Sequence, residues 1–131
     1  MMFPKFLWPY IALVFLVLMT HHLAFANHIA IIGNYLPTDT LLLSQDVFVK
    51  GRKKGRIAHK FYYTQKTDPK VISAIILKNC HKSPFGSDGV LLEGGPNNIY
   101  TAIRLSARKN FNIDYNIKIY SNNRDLEKHG R

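Results

Sequence analysis

The sequence predicts an all-β fold: a small antiparallel sandwich or barrel of about seven strands, preceded by a leader that is removed. Three observations point there. Downstream of residue 26, apolar and polar side chains alternate in short runs. Gly, Pro and Asn interrupt these runs at intervals of about 8–15 residues, as in sandwiches and barrels. No stretch of that region holds a helical period over ten residues.

The leader comes first. Lys5 is its one charge, residues 11–19 are uniformly apolar, and Ala24-Phe25-Ala26 places small side chains at the two positions a signal peptidase tests. Thr20, His21 and His22 end the apolar run short of the about 20 residues a spanning helix needs. Residues 1–26 therefore read as a secretory signal peptide cleaved after Ala26, with no stable membrane anchor. Residues 27–121 form one β domain, and residues 122–131 a polar tail. Secretion to the extracellular space is the expected localisation.

The strands follow in order. Residues 28–32 (HIAII) and 40–49 (TLLLSQDVFV) are the first two, the second bulged near Gln45. Residues 58–65 (AHKFYYTQ) are aromatic and strand-like, and Asp68-Pro69 then marks a turn, because proline presets φ and aspartate caps. Residues 71–78 (VISAIILK) are apolar on both faces, as a strand covered on both sides would be. Residues 90–93 (VLLE) lead to a tight corner at Gly94-Gly95-Pro96 with Asn97-Asn98. In residues 99–106, Ile99, Ile103 and Leu105 point one way and Arg104 and Ser106 the other. Residues 107–112 suit a hairpin tip. Residues 113–120 (IDYNIKIY) alternate cleanly, as in a strand with one wet side.

The basic run VKGRKKGR (Lys50, Arg52, Lys53, Lys54, Arg56) falls between two strands and reads as a long hairpin tip. It is open to several readings: a solvated tip that keeps sheets apart, a polyanion contact that Arg104, Arg108 and Lys109 join if the tips share one end, or a processing site at Lys53-Lys54. A nuclear address has little use in a secreted chain. The net charge of +10 attracts anions generally without choosing among them.

Cys80 is the single cysteine, so no disulfide forms within the chain. The favoured reading is a buried, inert thiol; the alternative is an intermolecular disulfide in a homodimer. His28, His59, His81 and His129 lack zinc-ligand spacing. Cys80 and His81 would point to opposite faces of a strand. No nucleophile elbow or phosphate-binding loop occurs. The expectation is a protein that is not an enzyme, with no catalytic residue, metal or cofactor. In HKFYY, Phe61 and Tyr63 share a face while Tyr62 opposes them, and the run lacks the RNA-recognition signature. Nucleic acid is not the expected partner; an extracellular polyanion or a protein is.

Three segments in order, IIGNYLPTDTLLLSQ, LLEGGPNNIYTAIRLSARKN and IDYNIKIY, resemble the arthropod family of probable salivary secreted peptides. That family is also named for multiprotein bridging factor two, a transcription co-activator. The resemblance covers residues 28–121. Its marks are the turn residues Gly33, Asp39, Gly94, Gly95 and Pro96 and the closing Ile119-Tyr120. Thr38 stands where the family has a glycine, and the tip RKNFN is longer than usual. Asn110 or Asn112 suits a positive φ there. The resemblance implies either a secreted protein without enzymatic activity or, from the other name, a nuclear co-activator. With the leader weighed above the name, the expected function is a secreted salivary or haemolymph-type β protein that binds through loop tips. The nuclear transcription co-activator is the alternative.

Overall fold

The structure, a computed structural model, describes residues 7–24, 28–83 and 85–122. One helix, α1 (Trp8–Ala24), precedes seven strands: β1 (Ile29–Gly33), β2 (Thr40–Val49), β3 (Ile57–Tyr63), β4 (Ile72–Asn79), β5 (Ser87–Gly94), β6 (Thr101–Ala107) and β7 (Ile113–Ser121). Pro9 opens the helix, where a missing N–H costs nothing. Its described side chains, 7–16, are exposed. No helix among the described residues is long and apolar enough to cross a membrane. Ala26 and the tail after Asn122 lie outside the described residues.

The strands form two antiparallel sheets, a four-stranded one ordered β1-β4-β7-β2 and a three-stranded one ordered β3-β6-β5. The predicted sandwich class and strand number hold. Alternation explains the layering. On β7, Ile113, Tyr115, Ile117 and Ile119 point inward and are buried, while Asp114, Asn116, Lys118 and Tyr120 face out. From the opposing sheet come Ile57 and Phe61 of β3 and Ile103 and Leu105 of β6. β4 lies between β1 and β7; its inward Ile75 and Leu77 are buried, whereas Ile76 is half-buried and Lys78 exposed on the outer face, which corrects the expectation of cover on both sides.

Four other details differ from the sequence reading. The irregularity in β2 lies between Leu41 and Leu43, not near Gln45, where pairing with β7 shifts. Ile99 sits outside β6 and is partly exposed, because the chain is still leaving the corner there. Residues 107–112 and 50–56 are not hairpin tips. Each carries the chain from one sheet to the other, β6 to β7 and β2 to β3. Among the described residues, the one hairpin between consecutive hydrogen-bonded strands is β5–β6.

A part-buried polar link ties the sheets where β4 ends and β5 begins. Asn79 Nδ2 on β4 donates to Ser87 Oγ on β5 (3.1 Å), and Ser87 Oγ donates to the Tyr115 hydroxyl on β7 (3.5 Å). Burial pushes the Tyr115 phenol above its ordinary value of 10.0, with the nearby Asp88 charge acting in the same direction; the Ser87 contact opposes both.

Three outcomes follow. Ile117 is fully buried, so Ile117→Ala should cost about 2–5 kcal/mol, read as a lower urea midpoint. Lys118→Ala, on the wet face, should stay within about 0.5 kcal/mol. In alkali the unfolded chain ionises its tyrosine near pH 10 while folded Tyr115 holds its proton, so the unfolded state binds fewer protons. Stability is then intact below pH 10 and falls as pH rises toward the folded pKa. Tyr115→Phe should flatten that alkaline limb in pH-dependent urea melts; an unchanged limb would count against the assignment.

Candidate functional site

The residues singled out by sequence gather at two poles of the sandwich. At the first, the turn residues meet around Ser73 of β4. Asp39 Oδ2 accepts hydrogen bonds from the Leu36 N–H (3.0 Å) and from Ser73 Oγ (3.2 Å). Asn34 N–H donates to the Ser73 carbonyl (3.2 Å). Gly33, at φ 90°, packs so closely that a Cβ would strike that carbonyl and the Pro96 ring. The corner then docks on β4: Ile72 N–H donates to Asn98 O (2.8 Å), and Asn97 N–H donates to Ile72 O (2.9 Å). Gly94, at φ 64°, and Asn97, at φ 70°, supply the left-handed turns this path needs. Asp39, Gly33 and Pro96 thus clamp the two sheets together. Sequence reading missed Ser73, whose side chain gives no signal apart from its place in an apolar strand.

The second pole carries the charge. The basic run 50–56 leaves β2 and enters β3 beside the 107–112 connection. Gly51 N–H donates to Asn112 Oδ1 (2.8 Å), and Asn110 N–H donates to Arg52 O (2.7 Å). Asn110, at φ 68°, is the residue that takes the positive φ. These bonds bring Arg108 and Lys109 to the same end as Lys50, Arg52, Lys53, Lys54 and Arg56. Arg104 reaches them along β6.

Three adjoining concavities open beside Arg56. The largest, about 420 Å³, is lined by Arg56, Ala58, Asp88, Arg104 and Ser106 among others. A second, about 290 Å³, adds Lys50 and Arg52. A small third brings in Phe85 and Arg108. Asp88 is held on this face by a hydrogen bond from Ser106 Oγ.

The other candidates separate. Cys80 is exposed, which corrects the expectation of a buried thiol: it lies just past the end of β4, where the pleat no longer turns it inward. Its Sγ contacts the Lys78 carbonyl at 3.7 Å. His81 Nδ1 accepts from the Ser83 N–H (3.1 Å), and its ring lies edge-on to Phe111 at 5.5 Å. No group of three or more His, Cys, Asp or Glu among the described residues is placed to hold a metal. Ala24 ends α1, and the Ala26 half of the expected cleavage site lies outside the described residues.

Residues 32–121, from the end of β1 through β7, match the family model described as transcription activator MBF2. The chain belongs to the MBF2 transcription activator family. No curated relative and no solved structure matches it. The match carries the transcription-activator side of the resemblance and nothing of the salivary side. It also corrects two expectations, the secreted salivary function and the extracellular localisation, because an MBF2 transcription activator suggests a nuclear protein. The physical reason is that a short apolar segment ending in small residues is a pattern of composition alone. Here that segment is an α-helix, and its shape names no compartment.

Asn112 is the side chain that pins the basic loop, through the Gly51 N–H. Asn112→Ala should cost about 1 kcal/mol through the lost bond. It should also speed trypsin cleavage at Lys53 and Lys54 severalfold, read by mass spectrometry of limited digests. Cleavage at the wild-type rate would mean the loop is held by other contacts.

Proposed function

We propose that the chain is a nuclear transcription co-activator that works by contact rather than by chemistry. The observation that carries this reading is the MBF2 family match, which takes in nearly the whole two-sheet domain. The condition of the conspicuous side chains supports it. Asp39 is bonded into the Ser73 cluster, His81 is packed against Phe111, and Cys80 lies at the end of β4, so each has a structural place without a reaction. The basic run supports it from the other side. Outside the secretory pathway, five cations in residues 50–56 fit a nuclear address, the one reading of that run that a leader argues against. The loop is anchored at Gly51 and Arg52 with its lysines at the tip, a form in which a receptor or partner can read it.

A cell experiment tests the proposal. The full chain, fused at its C-terminus to a tandem fluorescent protein too large to diffuse through nuclear pores, should accumulate in nuclei. Fused to a DNA-binding domain, it should raise expression of a reporter carrying that domain's site. Lys53→Ser with Lys54→Ser should lower the nuclear fraction while leaving the fold intact by circular dichroism. Full-length fusion confined to the medium and secretory compartments, with a silent reporter, would end the reading.

A further inference from the structure

We infer that the outer face of the β3-β6-β5 sheet is a binding platform for single-stranded nucleic acid, a role that goes beyond the contact function proposed above and does not depend on it. The pairing register sets out the face row by row. Ala58, Ser106 and Asp88 lie side by side; Lys60, Arg104 and Val90 form the next row; Tyr62, Ala102 and Glu93 form the third. Arg56 precedes the first row at the start of β3, and Arg108 follows β6 at the same end. Phe85 closes the strip beside them, sharing a concavity with Arg56 and Arg108.

The strip thus has an aromatic side chain at each end and cations between. Tyr62 is 65% exposed and Phe85 63% exposed. Ala102, opposite Tyr62, is too small to shield its ring. From residue 56 to residue 62, β3 runs about 20 Å at the strand rise. Four cations, Arg56, Lys60, Arg104 and Arg108, lie along β3 and β6. The two acids, Asp88 and Glu93, lie on the β5 side, so the positive potential runs as a track rather than a disc.

That combination selects among polyanions. A sulfated glycan would use the cations, but it has no π-face to set on Tyr62 or Phe85. A duplex keeps its bases stacked on one another. A single strand supplies both phosphates for the track and free bases for the rings, and stacking of this kind tolerates any sequence. The sequence gives no expectation of this partner, because the RNA-recognition signature is absent. The register shows that the separation of Tyr62 from Phe61 and Tyr63 leaves one aromatic for the solvent side.

Fluorescence anisotropy with a labelled dT12 oligonucleotide tests the inference on the folded full chain. Wild type should bind at low salt with a log–log salt slope of about −3, as four phosphate contacts on a single strand imply. Arg104→Ser with Arg108→Ser should reduce that slope. Tyr62→Ala with Phe85→Ala should weaken dT12 binding about tenfold or more while leaving affinity for a heparin oligosaccharide of similar charge unchanged. Both aromatics are exposed, so a circular dichroism melt should match wild type. Equal dT12 affinity in wild type and the aromatic double variant would overturn the inference in favour of a charge-only surface. So would parallel loss of dT12 and heparin binding, or no dT12 binding at low salt.

Discussion

The inward row of β7, Ile113-Tyr115-Ile117-Ile119, against Ile103 and Leu105 of β6 is the contact on which the molecule is built. These strands are central in their sheets, and the chain passes directly from one to the other. Each strand is hydrogen-bonded on both sides, β7 to β2 and β4, β6 to β3 and β5. A loss of alternation in either would expose apolar side chains of both sheets at once. Three further chain passages depend on this closure, because the connections β2 to β3, β3 to β4 and β4 to β5 each change sheet.

Sheet changes create the basic pole, and the docking of same-sheet turns on β4 creates the other. Either kind of passage must satisfy its backbone groups without a ladder. At one pole this is done by the Gly33–Ser73–Asp39 cluster and the corner 94–98. At the other it is done by Gly51 and Arg52 bonding into the 107–112 connection. Gln65 repeats the device between β3 and β4: its amide donates to the Lys70 and Ile99 carbonyls (both 2.8 Å), and its oxygen accepts from the Lys70 N–H. The basic loop owes its position to this need. Its backbone is held for structural reasons, and its side chains are consequently displayed.

Much of the strand set was legible in sequence because alternation is local. β7 needed only its own residues to declare a wet and a dry face. Sheet membership was not legible. A connection such as 107–112 has the same composition whether it turns back on its own strand or crosses to the other layer, and only the core decides. The same limit hid Ser73 and Asn112, ordinary polar residues whose roles come from neighbours about 34 and 61 positions away. Cys80 was misjudged because burial was inferred from residue type, whereas the strand ends one residue earlier.

The two outer faces differ in a way that follows from edge chemistry. On the four-stranded sheet, Ile29 and Ile31 of edge strand β1, Leu41 of β2 and the Tyr35–Tyr120 pair (4.6 Å between ring centres) give an apolar patch beside a polar stretch of both charge signs, Asp46, Asn116 and Lys118. On the three-stranded sheet, the matching positions carry Lys60 and Arg104 with Arg56 and Arg108 at their end. A lysine on edge strand β3 discourages pairing with another sheet, and that alone accounts for Lys60. It does not account for Arg104 on a central strand, where edge protection is not needed. It accounts still less for an exposed tyrosine left beside a small alanine. Protection of the edge therefore explains part of the charge, and the remainder is what a ligand with negative charges and flat faces would use.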